Sequence, residues 1–305
     1  MRLANQLANH DWMRARGYRA LYYCGQFLNV LIGMMALGAT ILPAANAADL
    51  AQIKERGYII VGVKDNLRPL GFRNEAGQLE GLEIDLARRI AQEILGNAEA
   101  ITLQPLANPD RIPALLEDKV DLVIARVAAT PSRARLVDFS TPYYLDGTTF
   151  VTRSAQALKD LQQQPIAVLN GSDTIAVVRS RLPQARLVGV DSYEEAQKLL
   201  ETNQVIAFAA DATVLTGWVQ EFPQYHLLPQ LISTAALAVA MPRGLQYEDL
   251  RQRVNGAIGN WQAQGLLRQS ILNWGLPEEG IPALRLNLNQ EASQEIEPAS
   301  ESGKF

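Results

Sequence analysis

The chain has 305 residues, of which 48% are hydrophobic and 20% are charged, and its formal net charge is -4 at pH 7. This length suffices for one or two domains with sizeable cores, and this composition is that of an ordinary soluble globular protein. The chain contains no block of basic residues, which argues against a nucleic-acid partner.

The first 47 residues have the features of a secretory signal peptide. An arginine-bearing polar stretch precedes an apolar segment at 27–42, and the sequence Ala-Asn-Ala at 45–47 fits an A-x-A cleavage motif. The apolar segment is short for a bilayer span, so we expect cleavage before Ala48 and a periplasmic protein. An uncleaved membrane anchor is the alternative. Cys24, the one cysteine, precedes the cleavage point, so the mature chain would hold no disulfide.

The first half of the mature chain alternates helical patterns with short apolar runs. The predicted elements are helix 49–56, strand 58–63, a hairpin around Gly77, a helix from Gly81 to Gly96, helix 111–118 and strand 120–125. Apolar runs of this length are typical of buried parallel strands, and glycines end the first two helices. Strand–helix–strand segments indicate a parallel sheet with right-handed crossovers.

The second half predicts another α/β unit and then a return. The predicted elements are strands 148–152 and 166–169, a helix carrying Ile175 and Val178, strand 186–190, helix 193–201, strand 205–209, a helix after Asp211, strand 237–240 and one long amphipathic helix at 250–272. The stretch 285–305 is rich in Glu, Gln, Ser and Ala, which predicts a disordered acidic tail.

The stretch 121–144, DLVIARVAATPSRARLVDFSTPYY, contains the candidate binding residue Arg133. Thr130 and Pro131 predict a helix N-cap and first helical position, which places Arg133 in the first turn beside the end of a strand. Ligands of open α/β sheets bind outside the carboxyl ends of strands. A guanidinium can grip a carboxylate with two parallel hydrogen bonds, so Arg133 is a candidate anion partner.

This stretch resembles the TPER…VDFS…PYY signature of the solute-binding proteins that feed polar amino acids to ABC transporters. Residues 61–87 are similar to the opening motif of that family, and the resemblance covers about 50–276. It implies an α/β periplasmic-binding-protein type II fold, with two doubly wound lobes joined by a two-segment hinge. The implied divisions are lobe 1 at 48–142 and 240–284, lobe 2 at 148–234, and the hinge near 143–147 and 235–239.

The resemblance also implies a function. The protein would be a monomer that captures an amino acid between its lobes and delivers it to a membrane permease, without metal or cofactor. Arg133 matches the arginine that holds the ligand's α-carboxylate, and Asp211 matches the aspartate that receives its ammonium group. Gly171 and Ser172 match a further ligand-contacting motif. Asp173 departs from that motif, and plain helix capping is the alternative for Ser172, Asp173 and Asp211.

Other departures from the family pattern concern specificity. Ala128 lacks the hydroxyl usual at its position, and Leu67 stands where an aromatic often covers the ligand. Lys64 and Arg126 add two cations near the expected cleft. Two unpaired cations are costly unless an anion joins them, which favours an acidic amino acid, glutamate or aspartate. The alternative is an internal partner, for which Asp65 and Asp173 are the candidates.

Two other classes of protein have to be weighed. Periplasmic cyclohexadienyl dehydratases, which also act on arogenate, are similar to these binding proteins, and a ligand-sensing module is a third reading. His226 lies outside any metal-binding spacing, and the chain has no HExxH motif. The sequence therefore favours a binding protein over an enzyme, and an enzyme over a sensor.

Overall fold

The computed structural model describes residues 48–154 and 161–283. The predicted signal peptide at 1–47 and the predicted tail at 285–305 lie outside this part. Within it, every helix is too short or too polar to cross a membrane. The names lobe 1, lobe 2 and hinge denote the segments predicted from the sequence.

Lobe 1 is built on the first main sheet. Its helices and strands before the hinge are α1 (Leu50–Arg56), β1 (Ile59–Val63), β2 (Asn66–Leu67), β3 (Gly71–Arg73), β4 (Leu79–Glu80), α2 (Leu82–Leu95), β5 (Ile101–Pro105), α3 (Arg111–Leu116), β6 (Leu122–Ile124) and β7 (Asp138–Phe139). Capping follows the sequence signals: Asp49 caps α1, and Gly57 and Gly96 end α1 and α2 in the left-handed conformation.

The hinge and lobe 2 follow. Their strands and helices are β8 (Tyr144–Asp146), β9 (Thr148–Thr152), β10 (Pro165–Leu169), α4 (Thr174–Arg181), β11 (Arg186–Val190), α5 (Tyr193–Glu201), β12 (Ala207–Asp211), α6 (Ala212–Glu221), β13 (His226–Leu227) and β14 (Ala235–Leu237). The chain then returns to lobe 1 through β15 (Ala240–Met241), α7 (Glu248–Ala263) and α8 (Leu266–Asn273).

Both main sheets are buried on two faces. The first has the strand order β5-β1-β6-β15-β7, and the second has the order β11-β10-β12-β9-β13. In the first, β1 pairs in parallel with β5 and β6; in the second, β10 pairs in parallel with β11 and β12. Separate apolar clusters cover the two faces of each sheet. This is the doubly wound arrangement that places ligand sites at the carboxyl ends of the strands.

The two segments that connect the main sheets form a ribbon of their own. β8 and β14 pair antiparallel, with Asp146 opposite Ala235 and Tyr144 opposite Leu237. Tyr143 and Tyr144 are fully buried against lobe 1. The chain therefore crosses between the two sheets along two adjacent strands, an arrangement suited to hinge motion.

Several predicted elements differ in the structure. The strand predicted at 237–240 is divided between β14 and β15. The predicted helix at 250–272 is two helices, because Gly265 adopts a left-handed φ of 73° between α7 and α8. The helix predicted to begin at Pro131 is a short 3₁₀ turn, Arg133–Arg135. The strand predicted at 205–209 lies at Ala207–Asp211, so Asp211 is its last residue.

Candidate functional site

Several predicted site residues lie at the carboxyl ends of strands. Lys64 follows β1, Arg126 follows β6, and Asp211 ends β12. In lobe 2, the turn 171–173 follows β10. The topology therefore puts residues from both main sheets where a ligand between the lobes would meet them.

Arg133 is a cation without an acidic partner in the described part of the chain. Its Nη1 donates to the backbone oxygen of Ala128 at 3.0 Å, and its backbone N–H lies 3.4 Å from Thr130 Oγ1. Ala128 in turn forms a β-bridge with Leu237 of the hinge strand β14. Arg133 is thus half-buried beside the hinge, and its remaining guanidinium donors can bind an anion.

Arg126 connects the two lobes. Its guanidinium forms ion pairs with Asp211 of lobe 2 and, at 3.3 Å, with Asp146 of the hinge. Its Nε also lies 3.2 Å from Thr213 Oγ1, in α6 of lobe 2. We call Arg126, Asp146, Asp211 and Thr213 the Arg126 cluster. Arg126 therefore has internal partners, which was the alternative to a ligand anion. The candidates named for that role, Asp65 and Asp173, are wrong for Arg126, and Asp65 pairs with Arg73 instead.

The Arg126 cluster holds two carboxylates and one guanidinium. The side chain of Asp146 is 1% exposed and accepts hydrogen bonds from Gly147 N and from Thr213 N and Oγ1. The side chain of Asp211 is 35% exposed, and Arg126 is its one cationic partner among the described residues. It does not cap α6, so the capping alternative for Asp211 is wrong. The cluster therefore has one negative charge in excess, and its accessible acid is Asp211.

Lys64 is buried without an acidic partner in the described segments. It is 6% exposed, and its Nζ donates to the backbone oxygen of Leu106 at 3.0 Å. Burial lowers the pKa of Lys64, and the neighbouring Arg111 lowers it further. A buried ammonium held by a single carbonyl oxygen is poorly compensated, so an anion nearby would stabilise its charged form.

Arg111 was missed by the sequence analysis. Its guanidinium donates to the backbone oxygens of Asn108, Ala125 and Arg126 at 2.8–3.0 Å. Burial lowers the pKa of Arg111, and the positive charges of Arg133 and Arg126 add to this effect. The cations of lobe 1 are therefore close enough to repel one another. No motif marks Arg111, but its position at the start of a helix between two strand ends is a signal that could have found it.

Glu83 was also missed. It is fully buried in the first turn of α2, where its Oε1 accepts from Arg126 N at 2.6 Å and from Tyr143 OH at 2.5 Å. Its Oε2 is buried and has no hydrogen-bond partner among the described residues. Burial is the main cause that raises the pKa of Glu83. An acid among the apolar residues of the helical face 82–94 is the signal that sequence analysis could have used.

Among the described residues, the turn 171–173 makes no hydrogen bond or ion pair with the Arg126 cluster or with Arg133, so the structure does not bring these predicted residues together. Gly171 has a left-handed φ of 74°, and Ser172 Oγ donates to the backbone oxygen of Leu169 at 2.7 Å. The side chain of Asp173 precedes α4 but caps none of its N–H groups. Helix capping, the alternative role for Ser172 and Asp173, is therefore wrong.

The lobes also meet at Leu67 and Arg68. A cavity of about 300 Å³ lies between these residues and the lobe 2 helices α5 and α6, where Tyr193 and Trp218 line it. In α6, Gly217 packs so closely on the backbone oxygen of Arg68 that a Cβ would overlap it. A larger depression of about 690 Å³ lies on lobe 1 between α2, α7 and α8, and it includes none of the predicted site residues.

The described segments contain no group of three or more His, Cys, Asp or Glu placed to hold a metal ion. His226 is exposed and lies in β13, where it pairs with Thr152. The chemistry that the site offers is therefore complementarity to charged groups: an unpaired cation at Arg133, an excess negative charge in the Arg126 cluster, and a buried cation at Lys64.

Known proteins include relatives of this chain. The model of the bacterial extracellular solute-binding proteins, family 3, matches residues 59–277. The chain is 31% identical to the glutamine-binding protein of Geobacillus stearothermophilus over 195 residues, or 62% of this chain and 74% of that protein.

Two solved structures are similar. The solute receptor for L-cysteine of Neisseria gonorrhoeae has a TM-score of 0.59 and 27% identity, covering 74% of this chain and 93% of that one. The ancestral amino-acid-binding protein AncCDT-1, a precursor of cyclohexadienyl dehydratase, has a TM-score of 0.59 and 25% identity, covering 74% and 98%. With the family model matching more than half of its residues, this chain belongs to the bacterial extracellular solute-binding proteins, family 3.

Proposed function

We propose that this protein captures an amino acid between its lobes, outside the cytoplasm, and delivers it as a monomer to the membrane permease of an ABC transporter. The observation that carries the proposal is that the site contains both a cation without an acidic partner and a cluster with an excess negative charge. Arg133 has no acidic partner in the described residues, and the Arg126 cluster has one carboxylate more than it has cations. Two similar proteins also support it: one is named a glutamine-binding protein, and the other a solute receptor for L-cysteine.

Each end of an α-amino acid has a complementary group in this site. Arg133 takes the α-carboxylate through charge-assisted hydrogen bonds. The ammonium group binds Asp211, whose side chain is 35% exposed, and balances the second carboxylate of the cluster. Since Arg133 belongs to lobe 1 and Asp211 to lobe 2, a bound amino acid bridges the lobes. It stabilises the closed form by its higher affinity for that form.

The remaining predicted residues complete the cleft. Ala128 and Leu67 provide apolar walls from lobe 1, and Gly171, Ser172 and Asp173 provide the rim of lobe 2. Arg126 stays bound to Asp146, because its departure would leave a buried carboxylate without a cation among the described residues.

We further propose that the preferred ligand is acidic, glutamate or aspartate. Lys64 and Arg111 are cations without acidic partners in the described part, and Lys64 is almost fully buried. A ligand carboxylate would offset both the cost of burying the charge of Lys64 and the repulsion between Lys64 and Arg111. Replacing a neutral hydrogen bond by one to a charged group gains about 1 kcal/mol or more, so glutamate should bind at least roughly fivefold more tightly than glutamine. Arg126 does not contribute to this preference, since its charge is already paired.

The test is a thermal-shift screen of the purified protein against the twenty amino acids, followed by calorimetry with glutamate and glutamine. A ligand of the native state raises the melting temperature by mass action. Glutamate and glutamine have nearly the same shape, so their affinity ratio reports the charge preference alone. A shift with neutral or basic amino acids, and none with glutamate or aspartate, would refute the acidic preference. Silence with all twenty would refute amino-acid capture.

A dehydratase on the same fold is the second candidate, favoured by the similarity to a precursor of cyclohexadienyl dehydratase. Unpaired cations such as Lys64 and Arg133 would suit a substrate with two carboxylates. Incubation with prephenate and arogenate, with product formation followed by absorbance, separates the two candidates. Turnover would replace our proposal, whereas a thermal shift without turnover would support capture.

A further inference from the structure

Arg126 has a backbone conformation that its side chain does not favour. Its φ is +50°, in the left-handed region, and two other described non-glycine residues, Asp118 and Asn203, share a positive φ. Those two are of the residue types that tolerate this conformation, and each follows a helix. Arg126 is neither. A residue held in a sparsely populated conformation at a site needs surrounding groups that impose it.

Two side chains hold the backbone of Arg126, one at its N–H group and the other at its carbonyl oxygen. Glu83 Oε1 accepts from Arg126 N at 2.6 Å, and Arg111 Nη1 donates to Arg126 O at 2.8 Å. Arg111 Nη1 also donates to Ala125 O at 2.8 Å, so it fixes the preceding peptide as well. Arg111 brings a charged donor to the backbone, and charge-assisted hydrogen bonds are the strong ones. Glu83 offers a carboxyl oxygen that is fully buried.

These two residues are themselves held in place. Glu83 is fully buried at the start of α2 and also accepts from Tyr143 OH. Arg111 begins α3, and its Nε donates to Asn108 O at 3.0 Å. Tyr143 directly precedes the hinge strand β8. The support of Arg126 therefore comes from two helices of lobe 1 and from the entry to the hinge.

We infer that Glu83 and Arg111 are positioning residues that hold Arg126 in a left-handed conformation, from which its guanidinium reaches across the cleft to Asp146 and Asp211. Neither residue contacts Asp211 itself. They act on the ligand site through Arg126, which joins the lobes and pairs with Asp211 in a cluster that has one negative charge in excess. The part of this inference that concerns ligand affinity rests on the proposed function; the part that concerns the lobes does not.

A double-mutant cycle tests the inference. Arg111→Met removes the donors, and Glu83→Gln keeps an acceptor but replaces the titratable carboxyl group by an amide. Each is made in the native background and with Arg126→Gly, since glycine adopts positive φ without help and has no side chain to position. Arg153→Met is the matched control, because Arg153 also donates to a backbone oxygen, that of Glu201, but lies in lobe 2 away from the cluster.

The first readout is the distance between the lobes without ligand, measured by electron paramagnetic resonance between spin labels on exposed sites of each lobe. We expect Arg126→Gly and Arg111→Met to shift the distance distribution toward separated lobes, and the double variant to match Arg126→Gly alone. An unchanged distribution in Arg111→Met, beside a shifted one in Arg126→Gly, would overturn the inference. So would an unchanged distribution in Arg126→Gly.

The second readout is the Kd of the amino acid that the screen identifies. We expect Arg111→Met and Glu83→Gln to weaken binding by roughly 3- to 30-fold in the native background and by less than about twofold with Arg126→Gly. Equal losses in both backgrounds would overturn the inference, since a general structural role predicts them. If no amino acid binds, the proposed function fails, while the lobe distances still decide whether Arg111 positions Arg126.

Discussion

Replacing Arg133 by alanine should separate ligand binding from folding. In the described structure this guanidinium makes one hydrogen bond, to Ala128 O, and no ion pair. Its loss should therefore cost the fold only about 0.5–1.5 kcal/mol. In the complex, two charge-assisted hydrogen bonds to the ligand carboxylate, at about 1.5–3 kcal/mol each, amount to about 3–6 kcal/mol, or roughly 10²- to 10⁴-fold in Kd.

The assay is calorimetry with the identified amino acid, combined with thermal unfolding of the same preparation. Arg135→Ala is the control, because Arg135 lies on the same 3₁₀ turn and its exposed side chain makes no hydrogen bond or ion pair with the described residues. We expect Arg135→Ala to leave both quantities unchanged. An Arg133→Ala protein that binds within threefold of the native Kd would refute the role of Arg133 as the carboxylate partner.

Three further substitutions have defined outcomes. Lys64→Met should weaken glutamate binding by about tenfold and glutamine binding by less than about twofold, because it removes a charge that only the acidic ligand uses. Calorimetry with both ligands measures the two losses, and equal losses would contradict this role of Lys64. Burial raises the pKa of Glu83, so its protonated form is favoured in the fold and stability should decline as pH rises above about 4.5. In Glu83→Gln this decline should be smaller in urea titrations between pH 4 and 8, and an identical slope would count against it. Gly217→Ala should weaken ligand binding, because the added Cβ would overlap Arg68 O as the lobes approach. Gly259→Ala is the control and should leave Kd unchanged, since Gly259 has open space around it on its helix. Equal Kd values for the two variants would argue against the interlobe contact.

Local signals in the sequence were sufficient for most of the fold. Glycines at 57 and 96 end helices where predicted, since a left-handed C-cap is a property of the local chain. The break at Gly265 was missed because the apolar residues of α8 continue the helical spacing of α7 across it. Strand β5 was missed for a different reason: it is the edge strand of the first sheet and half-exposed, so it lacks the continuous apolar run of a central strand.

The candidate site was less accessible to sequence reasoning. Strand ends and family motifs could nominate Arg133 and Asp211 one at a time. The partners of Arg126 could not be nominated in this way, since Asp146 lies 20 residues away along the chain and Asp211 lies 85 away. Which of several acids compensates a given cation depends on how the two sheets come together, and charge composition alone does not contain that information.

The position of β15 has a consequence for the order in which a growing chain can fold. This strand lies between β6 and β7 in the first sheet, yet it follows the whole of lobe 2 in sequence. Domains generally fold in the order of their synthesis, N-terminal first. Here the first sheet cannot close around β7 until residues 240–241 have been made, and α7 and α8 come later still. Lobe 2, inserted between the two segments of lobe 1, is therefore the part that can finish folding first, and lobe 1 is completed by residues that follow lobe 2 in the chain.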